Sequence, residues 1–341
     1  MAKVVVAILN WNGEALLKQF LPSVLKHTNP DLAEVVVIDN ASTDKSLEVL
    51  ASFEGIRVVK LDKNYGFAGG YNRGLQLISS DAAYFVLLNS DVEVTPHWLE
   101  PIVQMMDNNR EVAMAQPKIL SYKNKNYFEY AGAAGGFLDK HYFPFCRGRI
   151  FDTVEEDKHQ YDTVSEVFWA SGAALFVRKD VFFEVGGFDE AFFAHMEEID
   201  LAWRIKNRGY KIIAHPQSFV YHLGGASLEY TSPRKLYLNF RNNFFMMYKN
   251  LPLGRLLAVL PVRLLLDTLA AFKFLLAGKP AYFWAVPKAH CSFWFSIPSL
   301  NKKRKENLRK TVYWAHRECY HRSIVFDYFL RKKHAFSELD F

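Results

Sequence analysis

Residues 85–94 read FVLLNSDVEV. Four apolar residues run straight into Asn89, Ser90 and Asp91, and alternation resumes at Val92, Glu93 and Val94. A buried strand that ends in amide, hydroxyl and carboxylate needs a reason, because such groups are costly to bury unpaired. Upstream the same grammar repeats. VVVAIL (4–9) reads as a strand and 14–27 as a helix; VVVI (35–38) is followed by a helix over 43–51; IRVVKL (56–61) is followed by a helix over 67–79; YFVLL (84–88) comes next. Continuous Val/Ile/Leu runs separated by helices predict a parallel sheet covered on both faces. Ligands of such α/β sheets sit beyond the carboxyl ends of the strands.

Every one of those ends is polar. Strand one runs into Asn10-Trp11-Asn12-Gly13, strand two into Asp39-Asn40-Ala41-Ser42-Thr43-Asp44, strand three toward Asn64 and on through Gly69, Gly70 and Asn72, and strand four into Asn89-Ser90-Asp91. Singly each has an ordinary explanation: Ser42 or Thr43 can cap a helix, and the glycines, which do not form GxGxxG, can mark a turn. Together they predict one polar crevice along one edge of the sheet. Further along, 166–171 and 173–177 read as strands, 197–208 as a helix, and 211–214 and 218–222 as short strands.

Length and composition fit this reading. The chain has 341 residues, half of them hydrophobic, enough for a large α/β domain with an extension. Its three cysteines, Cys146, Cys291 and Cys319, have no Cys-x-x-Cys spacing, which suits a reducing cytosol and indicates neither a disulfide framework nor a zinc site. The opening MAKVVVAILNWNG reads as the first strand and lacks the pattern of a signal peptide. Charge is divided unevenly. Residues 1–230 carry 22 Lys+Arg against 30 Asp+Glu, and 231–341 carry 20 against 6, so a net +6 hides an acidic front and a basic tail. The tail predicts an anionic partner such as nucleic acid or a membrane surface, and the acidic front argues against nucleic acid as the substrate of the main domain.

The motifs ILNWNG, VVVIDNASTDKS, NYGFAGGYNRG, LLNSDVEV, SGAALFVRKDVFFEVGGFDEAFFAHMEEIDLAWRIKNRGY, VYHLGGAS and RNNFF, in this order over residues 3–250, give the chain its likeness. It resembles the family-2 glycosyltransferases of the GT-A fold, of the rhamnosyltransferase-like kind. The resemblance implies a GT-A-type nucleotide-binding sheet flanked by helices over 1–250, with a donor half to about 95 and an acceptor half beyond. It also implies inverting transfer of a hexosyl or deoxyhexosyl unit from a nucleotide-diphosphate donor to a glycan or lipid-linked glycan, in cell-surface polysaccharide synthesis. The family's Asp-x-Asp appears as Asn89-Ser90-Asp91, which leaves Asp91 as the carboxylate for a divalent cation, Mn²⁺ or Mg²⁺, on the donor diphosphate. His222 is a second candidate ligand; imidazole would favour Mn²⁺ over Mg²⁺. Its ordinary alternative is a strand-end histidine.

The family's catalytic base implies Glu198, with Glu197 as the alternative; the family has Asp at the former position, shorter by about 1.5 Å. Two acids at a helix start also serve the helix dipole, and Asp200 and Arg204, four apart, read as a structural ion pair. On the donor side the family implies Asn10, Trp11, Asn12, Asp39, Asn40, Asn64, Gly69 and Asn72 around base, ribose and phosphates. No Gln-x-x-Arg-Trp segment is found, which implies one sugar per encounter. Residues 251–341 read as a helical, basic and aromatic extension. RLLAVLPVRLLLDTLAAFKFLLAG (255–278) is apolar on a wide face but interrupted by Arg263, Asp267 and Lys273, so it predicts an interfacial membrane anchor rather than a span. The alternative is a subdomain packed on the catalytic body. The expected location is cytoplasmic, peripheral at the inner face of the plasma membrane. Two competing functions remain: a catalytically weak sugar-nucleotide-binding scaffold at the membrane, and a sugar-1-phosphate nucleotidyltransferase, whose Gly-rich loop and Arg after strand one are missing from NWNGE.

Overall fold

The computed structural model describes residues 2–78, 81–224 and 232–341. Its first third is built as the apolar runs dictate. Strands β1 (Val4–Asn10), β2 (Ala33–Asp39), β3 (Ile56–Lys60) and β4 (Tyr84–Asn89) alternate with helices α1 (Glu14–His27), α2 (Ser46–Ala51) and α3 (Gly66–Leu77). β1 lies between β2 and β4, parallel to both, and β2 pairs with β3 in parallel. Successive residues point to opposite faces. Val4, Val6 and Ile8 therefore join one core with Leu17, Leu21 and Val24 of α1, and Val5 and Ala7 join the other with Tyr71 and Leu75 of α3.

The sheet then becomes mixed. Beyond β5 (Val92–Val94) and α4 (Glu100–Asn108) comes β6 (Val112–Ser121). Four short strands follow: β7 (Gly136–Asp139), β8 (Pro144–Cys146), β9 (Arg149–Ile150) and β10 (Thr153–Val154). Next are β11 (Ser165–Glu166), β12 (Ala174–Arg178), α5 (Lys179–Glu184), α6 (Glu197–Asn207) and β13 (Lys211–His222). β12 inserts antiparallel between β4 and β6, giving the order β3-β2-β1-β4-β12-β6-β13-β11. The strand expected over 166–171 is confined to β11; from there Val167 N donates to Ile212 O and Trp169 Nε1 to Phe137 O. The two strands expected over 211–222 are one, with its register broken between His215 and Phe219, where Pro216 has no N–H for the ladder.

The remainder comprises α7 (Pro233–Asn250), α8 (Leu253–Leu276), α9 (Pro280–Arg309), β14 (Cys319–Tyr320) and α10 (Ile324–Phe329). Helices α8 and α9 fall in the stretch expected to be helical, and residues 310–341 return to the main body of the fold. β14 adds a parallel edge to the second sheet, β10-β9-β8-β7-β14. Phe336 and Phe341 stack on Phe137 at centroid distances of 5.0 and 5.1 Å. α7 belongs equally to both parts, since Phe244 stacks on Phe293 of α9 at 5.2 Å. Among the described residues no helix is long and apolar enough to cross a membrane.

Candidate active site

The strand register aligns the polar ends: Asn10 lies opposite Asp39, and Leu9 opposite Asn89. Asn10 Nδ2 donates to Asp39 Oδ1 and to Ser42 Oγ, both at 3.1 Å, and its buried Oδ1 has no partner among the described residues. Asp39 Oδ2 accepts from Ser42 N. Asn40 ties β2 to the start of α3: its Oδ1 accepts from Tyr65 N, and its Nδ2 donates to Asn64 Oδ1 and Gly66 O, each at 3.0 Å. Trp11 stands at the mouth, 56% exposed. Asn12, at φ +50°, accepts from Thr43 N at 2.7 Å and fastens the loop after β1 to the loop before α2. Ser42 and Thr43 are not helix caps, because α2 begins only at Ser46; Asp44 accepts from Ser46 N and Glu14 N instead.

Two expected donor contacts are committed inside the protein. Asn72 donates to Phe188 O and accepts from Phe188 N, both at 2.9 Å, so its amide positions the segment before α6. Gly69 and Gly70 give clearance that α3 itself uses. A Cβ at Gly70 would lie 2.7 Å from Leu9 Cδ1, and one at Gly69 2.9 Å from Arg73 Nη1.

The candidate metal centre forms where β5 pairs antiparallel with β13, placing His222 opposite Val92. His222 Nε2 lies 3.1 Å from Asp91 Oδ1 and 3.5 Å from Asn89 Nδ2. Its Nδ1 faces Glu129 Oε2 at 3.4 Å. Asp91, His222 and Glu129 are all nearly fully buried. Burial works against charge on this imidazole, but the bonds to Asp91 and Glu129 outweigh it and raise its pKa to about 10. With no cation, an imidazolium therefore joins the two carboxylates. The donor set fits a hard divalent ion: ligands on adjacent octahedral positions about 2.1 Å from a metal stand about 3.0 Å apart. A carboxylate on the far ring nitrogen orients a ligating histidine. Gly225, in the motif VYHLGGAS that follows His222, lies outside the described residues. A second group of potential ligands, Asp157, His159 and Asp162, already holds the Lys118 ammonium at 2.6 Å from each aspartate.

Glu197 and Glu198 open α6 behind a tightly bent loop. Phe193, His195 and Met196 have φ of +65°, +68° and +72°, a left-handed region that bulky residues occupy at a cost. Asn242 holds this bend, its Nδ2 donating to Phe192 O, Ala194 O and His195 O at 2.8–2.9 Å. Arg241 adds bonds to Ala191 O and Phe192 O. Burial raises the Glu198 carboxyl to about 7, against the backbone N–H groups of Glu198, Ile199 and Met196. Burial and the adjacent Glu198 raise the Glu197 carboxyl as well; it is almost wholly enclosed, and its Oε2 has no hydrogen-bond partner among the described residues. Glu198 is the more accessible of the two and lies beside Gly172, whose neighbour Ala173 accepts from Asn89 N. The carboxylate pair thus adjoins the end of β4. Asp200 is structural: it meets Arg204 Nε at 2.9 Å, Lys249 Nζ at 2.8 Å and Asn250 Nδ2 at 2.9 Å, fully buried.

Sequence reasoning missed Glu129, which carries no local signal because its partner is set by β6, which pairs with β13 at His222 and accepts from Glu129 N at Ile119 O. The motif RNNFF was recognised without a role; its Arg241 and Asn242 are the clamp on the bend before α6.

A mixed sheet with polar carboxyl ends, a carboxylate–imidazole pair after β4 and a glutamate pair across from it make this a GT-A-type fold. The structure of GalNAc-T7 with UDP, GalNAc and Mn²⁺ superimposes with a TM-score of 0.62 at 18% identity, covering 98% of this chain and 56% of that one. The family model of glycosyl transferase family 2 matches residues 4–165, just under half of the chain. The chain is 24% identical over 219 residues to the N-acetylglucosaminyl-diphospho-decaprenol L-rhamnosyltransferase of Mycobacterium tuberculosis, spanning 60% of this chain and 71% of the relative. It is 25% identical over 261 residues to the dTDP-rhamnosyl transferase RfbF of Shigella flexneri, spanning 71% and 79%.

Proposed function

We propose that the protein is an inverting, non-processive glycosyltransferase. It moves a hexosyl or deoxyhexosyl unit from a nucleoside-diphosphate donor to a glycan or lipid-linked glycan during cell-surface polysaccharide synthesis. The observation that carries this reading is the convergence of Asp91 and His222 at the end of β4, next to the glutamates of α6. Both relatives are named rhamnosyltransferases, which supports a deoxyhexosyl donor.

In this reading the nucleotide lies along the edge formed by Asn10, Trp11, Asp39, Asn40 and Asn64, within a donor half of about residues 1–95. Asp91 and His222 hold the divalent cation, with Asn89 beside them and Glu129 orienting the imidazole. When bound, that cation neutralises charge on the diphosphate leaving group. Glu198 takes the proton of the acceptor hydroxyl as that oxygen bonds to the anomeric carbon and the bond from that carbon to the phosphate oxygen breaks. A carboxyl with a pKa near 7 is matched to this task near neutral pH. Glu197, whose own pKa is raised by burial and by Glu198, is the alternative base. The acceptor half is about 96–250, and the basic tail places the enzyme peripherally at a membrane that carries the acceptor lipid.

Release of nucleoside diphosphate from sugar-nucleotide donors tests the assignment. Metal-dependent release supports it. Donor binding without release in the presence of any acceptor glycan would instead identify a sugar-nucleotide-binding scaffold.

A further inference from the structure

An exposed apolar face runs along α8, whose inward side packs Leu256, Val259 and Ala271 and carries buried charge. The only charges between Leu257 and Phe272 are Arg263 and Asp267, and both point inward, each 1% exposed. Arg263 Nη1 donates to His141 O at 2.9 Å and to Asn243 Oδ1 at 2.5 Å, and its guanidinium covers the Phe143 ring at 3.6 Å. Asp267 meets His290 at 3.2 Å. The other side presents Leu257, Val262, Leu265, Leu269, Phe272 and Leu276, at exposures from 37% to 88%. Thr268 on that side returns its hydroxyl to Leu264 O at 2.7 Å, so it asks nothing of a partner. From Leu257 to Leu276 this face runs about 30 Å along the helix. A contiguous apolar surface of this kind marks an interaction site.

The rim identifies the partner. Phe272 contacts Phe283, which contacts the half-exposed Trp284. Lys273, over the Phe329 ring, and Lys279, over Tyr282, stand at the same end. An uncharged face edged by an amphipathic aromatic and by lysines suits the boundary between acyl chains and anionic headgroups. A second copy suits it less well, since residues 231–341 carry 20 basic against 6 acidic residues and two such tails repel.

We propose that this face of α8 is a monotopic lipid-docking surface, lying in the plane of an anionic bilayer leaflet. Leu257 through Leu276 enter the acyl boundary, and Lys273 and Lys279 meet lipid phosphates. This deepens the membrane-surface reading above and rests on it for the choice of partner, not for the geometry. Docking would also orient the active site, because the buried Arg263 joins α8 to Asn243, next to the Asn242 that holds the bend before α6.

The test is flotation of the full chain with phosphatidylcholine vesicles, with and without phosphatidylglycerol, alongside Leu265→Glu/Leu269→Glu and Lys273→Glu/Lys279→Glu. The wild type floats with the anionic vesicles, and less so in high salt. The leucine pair lowers partitioning by about a hundredfold, about tenfold for each leucine withdrawn from the apolar phase. The lysine pair lowers it on anionic vesicles only. Melting temperature and nucleoside diphosphate release stay unchanged in both variants. Wild-type flotation by the leucine variant overturns the proposal, as does a wild type that never floats. So does a soluble wild-type dimer that the leucine pair converts to monomer, which would make the face a self-association surface. Flotation without nucleoside diphosphate release would leave the docking face standing and refute the enzyme reading; release without flotation would do the reverse.

Discussion

Replacing Glu198 by Gln separates what its carboxyl contributes to chemistry from what it costs the fold. Burial raises that carboxyl from an ordinary 4.5 to about 7. Between those values the folded protein binds a proton that the unfolded chain releases. Stability therefore falls as pH rises through this window, and the loss is complete above about 7. At about 1.4 kcal/mol per pH unit the loss is at most about 3 kcal/mol. Gln keeps the shape and cannot ionise, so the variant escapes it. The expected result is equal melting temperatures at pH 4, a gap that opens between about 4.5 and 7, and a variant several degrees more stable at pH 8. Turnover at pH 8 falls by about 10²- to 10⁴-fold, the usual contribution of a general base, while wild-type turnover rises with pH through about 7. Scanning fluorimetry across pH, with a nucleoside diphosphate release assay on the same samples, reads both effects. Equal stability at pH 8 would show that the carboxyl is not held in a desolvated site. Undiminished turnover, with Glu197→Gln inactive, would move the base one residue back.

His222→Ala weakens metal dependence without abolishing it, since water and phosphate oxygens fill one ligand position; an unchanged Mn²⁺ titration would make His222 structural. Asn242→Ala removes the side-chain bonds to Ala194 O and His195 O and one of those to Phe192 O, which Arg241 still holds. It lowers kcat by about 10- to 100-fold through misplacement of the α6 carboxylates with donor KM near wild type, and steady-state kinetics separates the two. Lys249→Met strips a cation lying 2.6 Å from Asp189 and 2.8 Å from Asp200. It should cost about 3–5 kcal/mol, the usual penalty for breaking a buried ion cluster, measured by urea unfolding.

The donor half was legible because its signals are local. Runs such as VVVAIL carry their own strand propensity, and helix α1 occupies the expected 14–27. The position of Asp91 and Asn40 at strand ends and the Asp200–Arg204 pair followed from the apolar runs and helical spacing, while the roles of Asp91 and Asn40 came only from the family resemblance. What escaped depends on distant pairing. β7 through β10 are two to four residues long, too short for a periodic signal, and the edge strand beside β7 comes from Cys319–Tyr320. Asn72 carries nothing in its sequence context to show that Phe188 would claim both its amide atoms. The apolar width of α8 was readable, but not which side faces inward. That is fixed by His141, Asn243 and His290, which receive Arg263 and Asp267 from other parts of the chain.

The central claim is that a sugar nucleotide is held through Asp91 and a divalent cation. Thermal shift with UDP-, GDP- and dTDP-sugars, with and without Mn²⁺, on wild type and Asp91→Ala tests it most directly. The account predicts that one donor class stabilises the wild type, by about 2.7 kcal/mol at a hundredfold excess over Kd. It further predicts that this gain requires Mn²⁺ and vanishes in Asp91→Ala, whose own melt remains cooperative. Stabilisation of equal size in the variant, or without the metal, or by no sugar nucleotide at all, would contradict it.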